Sequence, residues 1–317
     1  MADLKLWGRR REDKRVARKE ESGKDNYAPV QAVGPSTADD TLDPTDIETP
    51  ACGGPSVFAL IGATGGVGTT SLCTQLAHEL AVSLPQNKSR RPRDPRVCLI
   101  DLDFEAGACA HHLDLLPSLS LADLCGPADQ IDSAFTSALV STHSSGVSLL
   151  AAPNTPGAQG RVNPHTVMAM LDAACELYEH VVIDLPRHAQ PWTAGVMAAV
   201  DQLNLVCELT IPSLQAGRER LAHLSAQGIA ANIILSKFER RSFKNNLRLT
   251  DAETALGQEI FSAICLDPDT TREALNCGEP AGSIRPEARF VKDVRKLVEH
   301  LHAQAVTPCL PQALTAA

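Results

Sequence analysis

The stretch Phe58-Ala-Leu-Ile-Gly-Ala-Thr-Gly-Gly-Val-Gly-Thr-Thr-Ser71 constrains this chain more than any other. An apolar run over 57–61 enters a glycine-rich turn, and a helical pattern over 70–84 leaves it. Strand, loop and helix in that order let successive backbone N–H groups and a helix N-terminus surround phosphate oxygens. The usual motif ends Gly-Lys-[Ser/Thr], with lysine on the outer phosphates and the hydroxyl on Mg²⁺. Here Gly68 is followed by Thr69 and Thr70, so the metal hydroxyl is kept and the charge is lost.

Two further strand ends carry acids that would complete such a site. Val97-Cys-Leu-Ile-Asp-Leu-Asp103 sets Asp101 and Asp103 just past an apolar run, and Val181-Val-Ile-Asp184 ends another on one carboxylate. Where phosphoryl groups are bound, one strand-end Asp holds the metal directly or through water and another orients the attacking water. An isolated strand-end Asp also caps turns. Three strand ends with compatible chemistry, in order, point to a nucleotide site.

The rest of the chain supplies a frame for that site. Apolar runs at 57–61, 97–100, 147–150, 181–183, 203–207, 231–235 and 261–264 alternate with helical patterns. The clearest helices are 70–84, 164–178, 213–227 and 287–300. Strands rich in Val, Ile and Leu between amphipathic helices predict a mainly parallel sheet covered on both faces. Ligands of such sheets sit beyond the carboxyl ends of the strands, where the glycine loop lies. There is no internal repeat.

Residues 1–54 read as a charged, disordered tail, basic and mixed at first and then acidic from 36 to 50. Its opening part offers a helix for a partner or an anionic membrane, against a plain solvated tail. Residues 55–304 form the folded domain and 305–317 a C-terminal tail. The net charge of -9 argues against nonspecific nucleic-acid binding by the whole surface. The ten cysteines show no zinc spacing, and Cys98, Cys207 and Cys265 read as core residues of a reducing cytoplasm. No apolar run approaches a bilayer span.

On these residues the chain resembles the MinD/ParA family of deviant Walker ATPases, and within it the CpaE/TadZ branch that assists assembly of Flp (Tad) type IV pili. The resemblance runs from the glycine loop through Ile100-Asp-Leu-Asp103, Val182-Ile-Asp-Leu-Pro-Arg187 and Glu208-Leu-Thr-Ile-Pro-Ser-Leu214. It continues in Thr250-Asp-Ala-Glu-Thr-Ala-Leu-Gly257 and Ala274-Leu-Asn-Cys-Gly-Glu-Pro280, covering most of 56–300. The ordered set is specific; the loop alone is less so.

The resemblance implies a three-layer α/β P-loop NTPase fold and a homodimer formed face to face around ATP and Mg²⁺. Thr64, Gly65, Gly66, Val67, Gly68, Thr69, Thr70 and Ser71 would line the nucleotide, with Thr70 and Asp184 serving the metal. Asp103 would match the acid that orients water. Thr64 stands at the family's signature lysine and Thr69 at the ordinary loop lysine, so both cations are gone. Loss of one such donor typically costs about 3–4 kcal/mol in the transition state. Binding with weak or absent hydrolysis is therefore expected.

Implied partners are Tad/Flp secretion components in the cytoplasm, with recruitment to the inner membrane or cell pole. The alternative is an active ParA/MinD-type positioning or partition ATPase. Family members commonly carry Asn and a basic residue after the strand at 231–235; this chain has Ser236-Lys237. The basic stretch 238–248 is the best candidate for a DNA patch, against partner contact or solvation, and 88–96 is a basic loop. The apolar stripe Phe290, Val294, Leu297, Leu301 fits a helix packed on the sheet or a membrane-surface helix, though Asp293 and Glu299 interrupt a positive face. Arg187 has two readings, a replacement charge near phosphate or half of a structural ion pair.

Overall fold

The computed structural model describes residues 55–83, 96–158, 161–239 and 247–306. Eight strands form one sheet: β1 (Ser56–Gly62), β2 (Val97–Asp101), β3 (Ser141–Thr142), β4 (Val147–Leu150), β5 (His180–Leu185), β6 (Gln202–Glu208), β7 (Asn232–Phe238) and β8 (Ser262–Cys265). Their order is β3-β4-β2-β5-β1-β6-β7-β8. Every pairing is parallel except β3 with β4.

All seven expected strands are present within a few residues of their sequence bounds. The eighth, β3, is two polar residues at an antiparallel edge, too short for alternation to reveal. The strand expected over 231–235 runs on to Phe238. A register shift against β8 between Leu235 and Phe238 carries it past that point, with Lys237 in the left-handed region at φ 53°.

The four longest helices among the described residues are α1 (Thr69–Ser83), α2 (Pro164–Leu177), α3 (Ile211–Ala226) and α4 (Arg289–Val306). Each lies close to a helix expected from periodicity, and α4 extends beyond its expected end at residue 300. Pro164 at the first turn and Asn163, whose side chain accepts from the His165 N–H, fix the start of α2.

One face of the sheet, through Phe58, Leu60, Leu99, Val182, Val206 and Ile234, packs on Leu72, Leu76 and Leu80 of α1 and on the apolar side of α4. On the other face α2 brings Cys175 close to Cys98. There too α3 crosses β6 so closely that a Cβ on Gly217 would lie 2.8 Å from Cys207 Sγ. Helices therefore cover both faces, and β1, β2 and β5 are buried at every position but Ser56, as a doubly covered parallel sheet requires.

Phe290, Val291, Val294, Leu297, Val298 and Leu301 of α4 are all buried in that core. The stripe that might have met a membrane is occupied by the sheet and α1. A buried polar clamp fixes the two helices further. Glu79 of α1, fully buried, receives Arg295 Nε of α4 at 3.1 Å and Gln75 Nε2 at 2.9 Å. Gln75 Oε1 in turn accepts the Gly282 N–H at 2.9 Å.

Cys98 and Cys207 are core residues as expected. Cys265, on the short edge strand β8, is only half-buried. Among the described residues no helix is long and apolar enough to cross a membrane. The tail at 1–54, most of the basic loop at 88–96, the middle of the 238–248 patch and residues 307–317 lie outside the described residues.

Candidate functional site

The glycine loop leaves β1 at the middle of the sheet, flanked by β5 on one side and β6 on the other. Its shape follows from where glycine is needed. Gly66 and Gly68 hold φ of 76° and 90°, a conformation that strains any residue with a Cβ. A Cβ on Gly62 would meet Thr69 Oγ1 at 2.8 Å. The Ala63 N–H donates to the Val206 carbonyl at 2.8 Å, and the Leu72 N–H to the Gly68 carbonyl at 3.0 Å, which continues the loop into α1. Gly65 and Gly66 are exposed, while Val67 is buried as the loop's anchor.

The flank toward β2 and β5 is acidic and dry. Asp101 and Asp184 are register partners across the two strands and only 5% and 4% exposed. Thr70 Oγ1, at the start of α1, donates to Asp184 Oδ2 at 2.6 Å. The Asp103 and Cys109 N–H groups donate to Asp101 at 3.1 and 3.0 Å. Cys109 Sγ lies 3.7 Å from Asp184 Oδ2, and one ligand atom from each of Asp101, Cys109 and Asp184 falls within 4.8 Å of the others.

Burial, then the charge of Asp101, holds the Asp184 carboxyl up at about 8. Burial likewise raises Asp101 to about 6 against the amides that stabilise its charge. Burial, then the carboxylates, pushes the Cys73 and Cys109 thiols well up. Two buried carboxyls side by side favour either a shared proton or a cation. With the Thr70 hydroxyl beside them, these are oxygen donors of the kind Mg²⁺ takes. Gly107 makes room for the arrangement: a Cβ there would lie 2.5 Å from both Asp101 carboxylate oxygens.

The flank toward β6 and β7 is made of donors. Ser236 Oγ donates to the Val67 carbonyl, and Lys237 Nζ donates to the Gly66 carbonyl at 2.6 Å. The register shift in β7 and the left-handed backbone of Lys237 aim two neighbouring side chains at two neighbouring loop carbonyls. Lys237 Nζ is also 3.9 Å from Glu208 Oε2.

No protein-family model and no curated protein matches the sequence. Solved structures do match. A ParA family ATPase from Chlorobium tepidum superposes with a TM-score of 0.68 at 21% identity, over 78% of this chain and 99% of that one. MinD from Pyrococcus horikoshii, complexed with Mg-ADP, gives 0.62 at 18% identity, over 80% and 98%. McdA from Cyanothece, in complex with ATP, gives 0.57 at 17% identity, over 78% and 96%. The fold is that of the ParA and MinD ATPases.

On this ParA/MinD fold the expected site residues fall into two groups. Gly65, Gly66, Val67, Gly68, Thr69 and Thr70 form one continuous loop and helix start, with Asp184 beside Thr70. Ser71 lies one residue further along α1. Thr64 turns toward α3, its hydroxyl donating to Ser213 Oγ at 3.5 Å. Thr69 folds back on Gly62, its short hydroxyl directed at the loop's own floor. Asp103 stands apart, partly exposed, with Oδ1 accepting the Ala106 N–H at 3.0 Å and the Glu105 N–H at 3.4 Å.

Sequence reasoning left Asp101 without a part beside Asp184, although the Asp-Leu-Asp motif signalled it. It missed Cys109 and Arg220, which no local pattern marks, and it singled out Ser236 and Lys237 only as a departure from the family's Asn and basic residue, not as residues that hold the loop.

Proposed function

We propose that this protein is a nucleotide-binding positioning factor of the MinD/ParA kind, in the CpaE/TadZ branch serving Flp (Tad) pilus assembly. It holds ATP with Mg²⁺, turns it over slowly or not at all, and acts as a homodimer that localises secretion components in the cytoplasm, at the inner membrane or a cell pole. The observation that carries the reading is the glycine loop, with Gly66 and Gly68 at positive φ, beside the trio Thr70, Asp101 and Asp184, while Thr64 and Thr69 stand where the resemblance puts the two lysines. The MinD and McdA structures of the same fold, solved with Mg-ADP and ATP, support the nucleotide. The pilus role rests on the ordered sequence resemblance over 56–300.

In this reading the N–H groups of residues 65–70 bind phosphate oxygens at the N-terminus of α1. The Thr70 hydroxyl and the Asp101 and Asp184 carboxylates serve the metal, which supplies neutralisation of phosphate charge. Asp103, at the rim, holds the place from which an acid orients water. Phosphoryl transfer needs positioning and charge stabilisation on the transferred group. With two cationic donors removed, each worth about 10²–10³ in rate, binding outlasts turnover.

Calorimetry with ATP and Mg²⁺, light scattering for dimer formation and a turnover assay test the proposal together. Binding that drives dimerisation without appreciable turnover is expected. No binding at millimolar nucleotide, with a dimer already present, would overturn the nucleotide part and leave an architectural loop. Turnover at the rate of a working ATPase, with DNA binding, would favour the partition alternative.

A further inference from the structure

The loop that lost its lysines is not without a cation. Arg187 follows β5, three residues past Asp184, and its Nη1 lies 3.9 Å from where a Cβ on Gly65 would stand. Gly65 is the exposed crest of the nest, so the guanidinium sits at the mouth through which phosphate would enter. The side chain is itself exposed, and its Nη2 donates to the Nε2 of His188 at 2.9 Å. Among the described residues no carboxylate pairs with Arg187, so the ion-pair reading of this residue has no acid to complete it.

A second arginine braces the first. Arg220 of α3 donates from Nη2 to the Arg187 carbonyl at 2.7 Å. It is partly buried, and it too lacks a carboxylate partner among the described residues. Burial first, and then the charge of Arg187, disfavours its protonated form. Two like charges within electrostatic reach of each other beside the glycine loop, neither paired with a carboxylate among the described residues, make a place for an anion. A solvated surface arginine would need neither the brace nor the position.

We propose that Arg187, held by Arg220, supplies the positive charge to the outer phosphates of a bound nucleoside triphosphate in place of the missing loop lysines. This rests on the nucleotide-binding reading above and adds which residue delivers the charge and from which side. Arg187 approaches from the β5 flank, next to the metal carboxylates, whereas Lys237 is on the β7 flank and already engaged with the Gly66 carbonyl.

The test is a calorimetric affinity series with Mg²⁺ and ATP, ADP or AMP for the full chain and for R187Q, R187K and R220Q. A charge-assisted contact to the outer phosphates predicts that R187Q weakens ATP by about 10–100-fold, ADP by less and AMP not at all. R187K recovers part of the loss, and R220Q weakens ATP by a smaller factor. Equal loss for all three nucleotides would overturn the inference, because a merely structural residue acts without regard to phosphate number. ATP affinity of R187Q within twofold of wild type would overturn it while leaving the nucleotide reading intact. A wild-type chain that binds no nucleotide removes both.

Discussion

The two flanks of the glycine loop are built on opposite principles. Toward β2 and β5, Asp101 and Asp184 are buried beside one another, and burial raises both carboxyls above the ordinary range. Toward β7, Ser236 and Lys237 donate hydrogen bonds to the loop's outward carbonyls and complete it. One flank is incomplete until a cation or a proton arrives, and the other is finished in the free protein. The difference teaches that two tasks are divided: the β7 side holds the shape of the loop, while the β5 side concentrates buried acid.

The acidic flank gives the largest expected effect. A carboxyl whose pKa is raised on folding binds its proton more tightly in the folded chain, so its contribution is fully present below the unfolded value near 4 and is lost as pH rises. With Asp101 at about 6 and Asp184 at about 8, stability of the free protein should fall between roughly pH 4 and 8. Thermal unfolding should show a midpoint lower by on the order of 5 °C at pH 8 than at pH 5. Asp184→Asn should flatten that slope, and a slope unchanged in this variant would mean the pair is not the source.

Gly107→Ala sharpens the same side by filling the space that the Asp101 oxygens occupy. A contact of 2.5 Å cannot stand, so a loss of about 2–3 kcal/mol in denaturant unfolding is expected. A near-neutral result would show that the Asp103 turn can shift at little cost.

The finished flank should respond more mildly. Ser236→Ala leaves the Val67 carbonyl short of a donor, at about 1 kcal/mol. Lys237→Met should cost less than about 1 kcal/mol, since that ammonium is partly exposed to water. If Lys237→Met proved the more damaging of the two, the shape of the nest would depend on the ammonium rather than on the buried hydroxyl.

How much of this was legible in the sequence depended on distance along the chain. The central strands could be read because burial on both faces leaves an unbroken apolar run, as in 57–61 and 181–183. Thr70 and Asp184 could be picked out because each lies at the edge of an element with its own signal. The bond from Ser236 to the Val67 carbonyl could not be read, because the two residues are 169 apart and meet only through a register shift in β7. The same holds for Arg220, which touches the site through the carbonyl of a residue on another element. Asp101 and Asp103 share one short motif, and only the sheet register shows that Asp101 is the one aligned with Asp184.

The clamp between α1 and α4 has a consequence for the loop. The loop is strung between a fully buried strand and a helix that Glu79 and Gln75 fasten to Arg295 and Gly282. Both of its ends are therefore fixed before any ligand arrives, and its carbonyls are held as well. A loop so restrained has little conformational entropy left to lose when a phosphate enters. The shape of the loop is thus set by packing and hydrogen bonds made within the free protein.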